Sequence, residues 1–308
     1  MFASIDPSVG GVDGVGGRRL LSVLALQLEP TDPAGSQYED AIRRHLSMSP
    51  HAQLVVLPEL HVHPDMKMRP PTDLATELDG PLVTRLRDVA RRLRVWMVPG
   101  SFYERDGNRV HNTALAISPA GDVVAAYRKC FPWRPFEETT PGTSFVVFDI
   151  PGTGRVGISI CYDTWFPELA RHLAWMGAEV IVQPTATYTA DREQELVLAR
   201  ATAIVNQLFV VSVNAAAPSG TGHSLIVDPE GHVRAEAGEL PLALCETLDL
   251  SRVWDVRRNG TAGVTRVWQQ FRPGDPDLEL PLYGGRLHGD VWWPTAAHSE
   301  GTRPLTSA

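Results

Sequence analysis

Gly157-Ile158-Ser159-Ile160-Cys161-Tyr162-Asp163-Thr164-Trp165-Phe166-Pro167-Glu168-Leu169 is the stretch whose reading decides the fold of this chain. It opens as a short β-branched run ending at Cys161 and continues as a polar and aromatic loop. It resumes at Pro167, whose fixed φ and missing N–H suit the first position of a helix. A thiol is therefore expected at a strand end, just ahead of a helix N-terminus. The partial positive charge of such a terminus can lower a thiol pKa well below its free value of about 8.5. A buried structural cysteine would look the same in isolation, because free Cys is among the most buried residue types. Other stretches have to decide.

Two do. Leu54-Val55-Val56-Leu57-Pro58-Glu59-Leu60 is an apolar strand ending in Pro-Glu. A carboxylate straight after a buried strand is costly unless it is partnered or used. Tyr127-Arg128-Lys129-Cys130-Phe131-Pro132-Trp133-Arg134-Pro135-Phe136-Glu137 follows the strand Asp122 to Tyr127 and places a lysine before an aromatic, proline-rich loop. Read singly, Glu59 could cap a helix and Lys129 could be a solvated charge. Read together, Glu59, Lys129 and Cys161 stand in that order, each at a strand end, in Leu-Pro-Glu, Tyr-Arg-Lys and Ile-Cys-Tyr-Asp contexts. The set resembles the nitrilase superfamily of carbon–nitrogen hydrolases. The resemblance runs from about Leu20 to about Phe271. Pro99-Gly100-Ser101-Phe102, Asn112-Thr113-Ala114, Gly177-Ala178-Glu179-Val180-Ile181 and Val211-Ser212-Val213-Asn214 support it. The loop from Lys129 to Glu137 is most similar to the aliphatic amidase and formamidase branch, with Lys, Pro-Trp and a second Glu in corresponding places.

The resemblance implies a cysteine-dependent amidase that turns a primary amide into a carboxylate and ammonia through a thioester. Cys161 would be the nucleophile. Glu59 would take the thiol proton and return one to ammonia, work typically worth about 10²–10⁴-fold. Lys129 and the backbone N–H of Tyr162 would stabilise the oxyanion, one such donor being worth roughly 3 kcal/mol of barrier. Glu137 would position the amide, and a one-residue slip would give that role to Glu138. Trp133, Tyr162, Trp165 and the loop Thr185 to Tyr188 would set specificity. No cofactor or metal is implied. Carbamoylases of the superfamily often carry arginines just after the nucleophile, and true nitrilases usually carry Trp-Glu there. This chain has Tyr-Asp-Thr-Trp, which favours an amide without a carboxylate at that position. A small aliphatic amide, an ω-amide on a longer chain and an N-carbamoyl amine stay open as substrates, as does acyl transfer to hydroxylamine or another amine.

Two readings of other classes compete. His61-Val62-His63-Pro64-Asp65 follows a strand, and histidines at i,i+2 can hold zinc. His111, His172, His223 and His232 are scattered without ligand spacing. A non-catalytic scaffold of the same fold would be expected to have lost Glu59, Lys129 or Cys161, and all three are present.

Composition narrows the partners. The 308 residues are 43% hydrophobic, enough for a sizeable core, and carry a formal net charge of −8. That charge argues against nonspecific binding to nucleic acid or anionic membrane. The three cysteines, Cys130, Cys161 and Cys245, are odd in number and irregularly spaced. They fit a reducing cytoplasm better than a disulfide framework. Met1 to Gly17 has no basic n-region and no apolar h-region, and reads as a disordered Gly-rich tail. No apolar run reaches the roughly 18–20 residues that span a bilayer.

Strand and helix signals alternate along the chain. Helices are expected at Ser36 to Met48, Pro81 to Leu93, Pro167 to Met176 and Arg192 to Asn206. The hairpin Thr113–Ser118/Asp122–Tyr127 finds a counterpart in Ser224–Asp228/His232–Ala235, each turning through Pro-x-Gly. This suggests an internal duplication, Leu20 to Arg128 and Phe145 to Leu248. Two such halves would pack sheet on sheet as a four-layer αββα sandwich of two mixed sheets with helices outside, the fold the resemblance also implies. The expected organisation is a tail over 1–19, the hydrolase domain over 20–258 and an arm over 259–308. Trp268, Phe271, Tyr283, Trp292 and Trp293 are too many large apolar groups for a free tail. The arm is expected to cover its own subunit or a neighbour in a homodimer or higher oligomer.

Overall fold

The structure, a computed structural model, describes residues 18–287 and 294. The tail Met1 to Gly17 and the aromatic pair Trp292 and Trp293 lie outside those residues. The first half runs β1 (Leu20–Gln27), α1 (Ser36–Met48), β2 (Leu54–Val56), α2 (Pro71–Leu74), α3 (Pro81–Leu93), β3 (Trp96–Val98), β4 (Ser101–Asp106), β5 (Arg109–Ile117) and β6 (Val123–Arg128). The second runs β7 (Val147–Ile150), β8 (Gly154–Ile158), α4 (Pro167–Trp175), β9 (Val180–Thr185), α5 (Arg192–Asn206), β10 (Phe209–Asn214), β11 (Leu225–Val227) and β12 (Val233–Glu236). Then come β13 (Leu242–Asp249), α6 (Ser251–Asn259) and a small hairpin, β14 (Leu278–Leu280) and β15 (Gly285–Leu287).

One sheet has the order β13-β1-β2-β3-β5-β4, with β6 on the other edge of β5; the second has the order β12-β11-β10-β9-β8-β7. In each, three parallel strands (β1-β2-β3 and β8-β9-β10) lead into an antiparallel hairpin (β5-β6 and β11-β12). The hairpins turn at Gly121 and Gly231, with φ of +83° and +84°. The order of elements thus repeats as the sequence suggested. One strand departs from that division. β13, read as the end of the second half, pairs antiparallel with β1 of the first sheet, from Leu20 opposite Asp249 to Gln27 opposite Leu242. The chain closes the first sheet with its own late strand.

The pleat explains the layering. Side chains alternate across a strand. Leu21, Val23 and Ala25 of β1 face the core shared with the second sheet. Leu24 and Leu26 face a separate core with Tyr38 and Ile42 of α1 and Val83, Leu86, Val89 and Ala90 of α3. α3 forms because its apolar residues recur at helical spacing and Pro81 occupies its first turn. Each buried Val, Leu or Ile among them contributes roughly 1.5–3 kcal/mol. On the far side, Leu169 and Leu173 of α4 and Ala199 and Ala203 of α5 cover the second sheet. The result is helix, sheet, sheet, helix. Beyond α6, Trp268 is buried in the main core, with Nε1 donating to the Asn206 carbonyl at 3.3 Å. The first aromatic of the arm therefore packs on its own subunit.

Candidate active site

Three strand ends meet where the two sheets abut. After β2 the chain passes through Pro58 to Glu59, whose N–H donates to the Thr185 carbonyl at the end of β9, 3.2 Å away in the other sheet. The turn that follows is tight. Leu60 takes φ +51°, and its N–H donates to Ser101 Oγ at 3.1 Å. Gly100, at φ +83°, passes so close that a Cβ there would lie 1.8 Å from the Pro58 carbonyl oxygen. This is the physical content of the Pro99-Gly100-Ser101 motif.

Lys129 follows β6, its N–H donating to the Asn112 carbonyl of β5 at 2.8 Å. Its Nζ donates to Glu59 Oε1 at 2.9 Å and to Glu137 Oε2 at 2.7 Å. Asn112 Nδ2 bridges the same two carboxylates, at 2.8 Å to Glu59 and 2.9 Å to Glu137. Glu137 is fixed further by Trp133 N–H and the Thr139 hydroxyl, each at 3.0 Å. Glu138 is exposed at the rim of the cavity, so Glu137 is the carboxylate that faces the lysine. Burial works against the Lys129 ammonium, but Glu59 and Glu137 outweigh it and hold the group well above its ordinary range. Burial likewise raises Glu137, but Lys129 and the hydrogen bonds outweigh it, and the carboxyl is lowered.

Cys161 differs from expectation in two ways. β8 ends at Ile158, and the thiol opens a separate 3₁₀ turn, Cys161–Trp165, ahead of α4. Its φ is +45°, a left-handed conformation that costs a non-glycine residue about 1–2 kcal/mol. Such strain is concentrated at functional sites. The thiol is also raised, not lowered. Burial and the Glu59 charge push it up, and Lys129 and the Ala186 N–H only partly pull it back. Burial beside a carboxylate accounts for that direction.

Asp163 holds the Cys161 and Lys129 loops together. Its Oδ2 accepts Tyr127 OH and Ile160 N–H, both at 2.8 Å, and its Oδ1 accepts Phe131 N–H at 3.0 Å. Burial pushes this carboxyl up to about 7 against the pull of Lys129 and those donors. The sequence displayed Asp163 inside the decisive motif without showing a role. Asn112 and Asn214 were visible in the same way. Asn214 fixes the loop after β9, accepting Thr187 N–H at 2.9 Å and donating to the Thr187 carbonyl at 3.0 Å. Glu195 had no signal beyond being an acid in an amphipathic helix.

Glu59, Lys129, Glu137, Cys161 and Tyr162 all line one cavity of about 610 Å³. That is a usual size for a small-molecule site. Of the residues named for specificity, Trp133 and Tyr188 line it, 6.1 Å apart edge to face. Trp165 and Thr185 do not. Trp165 packs beside Tyr162 at 6.1 Å, and Thr185 is fully buried at the end of β9. The two histidines read as a zinc pair are both buried. Burial takes His61 down to about 3 and His63 to about 4. His63 Nε2 accepts the Tyr103 N–H at 3.2 Å, with the rings stacked at 5.4 Å. Among the described residues no group of three or more His, Cys, Asp or Glu is placed to hold a metal ion. Among the same residues no helix is long and apolar enough to cross a membrane.

Comparison with known proteins agrees on one family. The family model described as "Carbon-nitrogen hydrolase" matches residues 26–258. The chain is 33% identical over 225 residues to the omega-amidase NIT2 of Homo sapiens, covering 67% of this chain and 80% of that protein. It is 33% identical over 259 residues to the deaminated glutathione amidase of Rattus norvegicus, covering 75% and 76%. Among solved structures it resembles Nit3 of Saccharomyces cerevisiae, a member of the nitrilase superfamily, with TM-score 0.71, 27% identity and coverage of 78% and 94%. An amidase from Nesterenkonia sp. AN1, solved with acrylamide added to its active-site cysteine, gives TM-score 0.67 and 26% identity, covering 78% and 96%.

Proposed function

The chain belongs to the carbon–nitrogen hydrolase family, and on that premise we propose that it is a cysteine-dependent amidase releasing ammonia from a small primary amide. The observation that carries the reading is the meeting of Cys161, Glu59, Lys129 and Glu137 in one cavity. Burial and the Glu59 charge hold the Cys161 thiol well above its ordinary range, which favours the protonated form at rest. Glu59 receives hydrogen bonds from Lys129 and Asn112 on Oε1, which leaves Oε2 for a proton. In the first step the thiol proton passes to Glu59 and Sγ attacks the amide carbon. An ammonium has three N–H donors. Lys129 directs two of them at Glu59 and Glu137, so its third can meet the oxyanion together with the Tyr162 N–H. The C–N bond then breaks, with Glu59 giving its proton to the departing ammonia and a thioester left on Cys161. Water attacks the thioester with Glu59 as base, the carboxylate product leaves and the thiol is restored. Glu137 orients Lys129 and Asn112 through the hydrogen bonds they donate to it, and through those residues the amide.

The test is ammonia release from a panel of primary amides, N-carbamoyl amines and nitriles by wild type and Cys161→Ala. ω-Amides lead the panel, because the similar proteins include an omega-amidase. Release from an amide, absent in Cys161→Ala and unchanged by EDTA, is the expected result. Ammonia from none of the compounds refutes the reading, as does full activity in Cys161→Ala.

A further inference from the structure

Beside the nucleophile lies a buried acid that the chemistry above does not use. Cys161 Sγ is 3.7 Å from Thr187 Oγ1. The Thr187 hydroxyl reaches both oxygens of Glu195, at 3.0 and 2.8 Å. Glu195, in the first turn of α5 with its side chain 2% exposed, also accepts Arg192 Nη1 at 3.0 Å. Arg192 is anchored in turn on the His223 carbonyl at 2.8 Å. Asn214 clamps the Thr187 backbone from both sides. Both Thr187 and Glu195 reach the cavity wall. The hydroxyl therefore stands between the sulfur and a fixed carboxylate.

A hydroxyl has one hydrogen and two lone pairs. While Glu195 is ionised it takes that hydrogen, and Thr187 turns only lone pairs toward Sγ. An S–H can donate to those lone pairs, whereas a thiolate would be repelled by them. We propose that Thr187 and Glu195 are positioning residues that latch the resting nucleophile as a thiol, its S–H directed onto Thr187, until bound substrate makes transfer of the proton to Glu59 favourable. Rotation about Cβ–Sγ carries the hydrogen from one acceptor to the other. The proton goes to Glu59 and the electron pair stays on sulfur. A latched thiol is also a poor target for stray electrophiles, since the thiolate is the reactive form.

The charges facing the sulfur are consistent with this. After burial, Glu59 and Glu195 push the thiol up, while Lys129 and the Ala186 N–H pull it down. Glu195 itself is raised by burial, against Arg192 and the Thr187 hydroxyl, with Asp191 adding to the rise. The inference rests on Cys161 being the nucleophile.

The experiment is the pH dependence of Cys161 alkylation by iodoacetamide on the full chain, read by peptide mass spectrometry to separate it from Cys130 and Cys245. In Glu195→Gln the amide N–H can donate to Thr187, which frees the Thr187 hydrogen for the sulfur. The expected result is a thiol pKa lower by about one unit, or alkylation about tenfold faster at pH 7. In a Thr187→Val background the same Glu195→Gln change should move the profile by less than about half as much, because the hydroxyl link is gone. An unmoved profile in Glu195→Gln overturns the proposal, and so does an equal shift in both backgrounds, which would be a bare charge effect. If Glu195→Gln does not fold, Thr187→Val against Thr187→Ser decides. Valine should lower the thiol pKa and serine should keep it, and identical profiles overturn the latch. Alkylation needs no turnover, so a chain that shows the shift yet hydrolyses no amide refutes the amidase reading and leaves the latch standing.

Discussion

Replacing Lys129 with methionine tests the site and its energetics together. The side chains of Lys129, Glu59 and Glu137 are only 1%, 6% and 13% exposed, so solvent screens little of their interaction. Removing one partner of a buried ionic group typically costs about 3–5 kcal/mol. The 308 residues, at about 2.1 cal/mol/K each, give an unfolding entropy of ~0.65 kcal/mol/K. The loss therefore corresponds to a Tm lower by roughly 5–8 °C. Its pH dependence is the sharper signature. In wild type Glu137 is held below its ordinary 4.5. Its contribution is present above that value and is lost as pH falls through the lower folded value. Without Lys129 the sign reverses. Glu59 and Glu137 share Asn112 with no cation between them, and one of them is raised in the folded state. The penalty is then full at high pH and relieved as pH falls through the raised value. Thermal unfolding followed by circular dichroism from pH 5 to 8 should show the difference from wild type shrinking toward pH 5. A Tm deficit equal at every pH, or none at pH 8, would refute the buried-triad reasoning.

Two further substitutions probe the scaffold. Gly100→Ala places a methyl 1.8 Å from the Pro58 carbonyl oxygen at a φ of +83°, so the Glu59 turn must move. Turnover should fall on the order of 10²-fold, as for misplacement of a catalytic group by about 1 Å, and unchanged steady-state kinetics would show that the turn does not position Glu59. Asp163→Asn sets an amide N–H against one of three donors, at a cost of about 1–3 kcal/mol. Burial raises Asp163 from 3.8 to about 7, so wild type loses this group's contribution as pH climbs between those values, and the asparagine variant does not. Urea unfolding should therefore show the gap between the two wider at pH 5 than at pH 8. A gap that widens toward pH 8 would mean that the carboxylate is favoured in the folded state.

The fold was legible because its signals are local. α1, α3 and α5 run over the residues that helical periodicity assigned, since each has an apolar stripe bounded by Pro, Gly or polar residues. Within the two large sheets, the strands that periodicity left unassigned, β4 and β7, carry mixed polar sequences, Ser-Phe-Tyr-Glu-Arg-Asp and Val-Phe-Asp-Ile, and take their shape from pairing with the strand that follows each. β13 shows a further limit: its strand character was local, but its sheet was not. At the site, Glu59, Lys129 and Cys161 could be named because each stands in a local motif, Leu-Pro-Glu, Tyr-Arg-Lys or Ile-Cys-Tyr-Asp, whose joint order carries the resemblance. Asp163, Thr187 and Glu195 act through tertiary contacts that no spacing encodes. The thiol's direction of shift was misread for a related reason. A helix start can be read from Pro167, whereas the burial of Sγ beside Glu59 exists only after both sheets have closed.

That closure explains why a repeated architecture yields one site. β2 and β9 hold like places in their sheets, each parallel and flanked by parallel neighbours, and each ends where the sheets meet. The first contributes Glu59. The second contributes the Thr185 carbonyl that receives the Glu59 N–H, and then the loop bearing Thr187. Gln27, at the end of β1, reaches across to the second half, accepting Ser224 N–H at 2.8 Å and donating to the Gly238 carbonyl at 2.6 Å. Glu59, Lys129 and Glu137 thus come from the first sheet and the loop that leaves it, and Cys161 from the second. A buried carboxylate and a buried ammonium are each costly alone. Both stand on the first sheet and the loop that leaves it, paired with each other and oriented by Asn112. That ion pair is closed within the first sheet and its loop, and the second half brings the Cys161 thiol together with Asp163, whose donors Tyr127 OH and Phe131 N–H lie on the first half. Docking the halves therefore partners Asp163 at the same time as it brings Sγ beside Glu59.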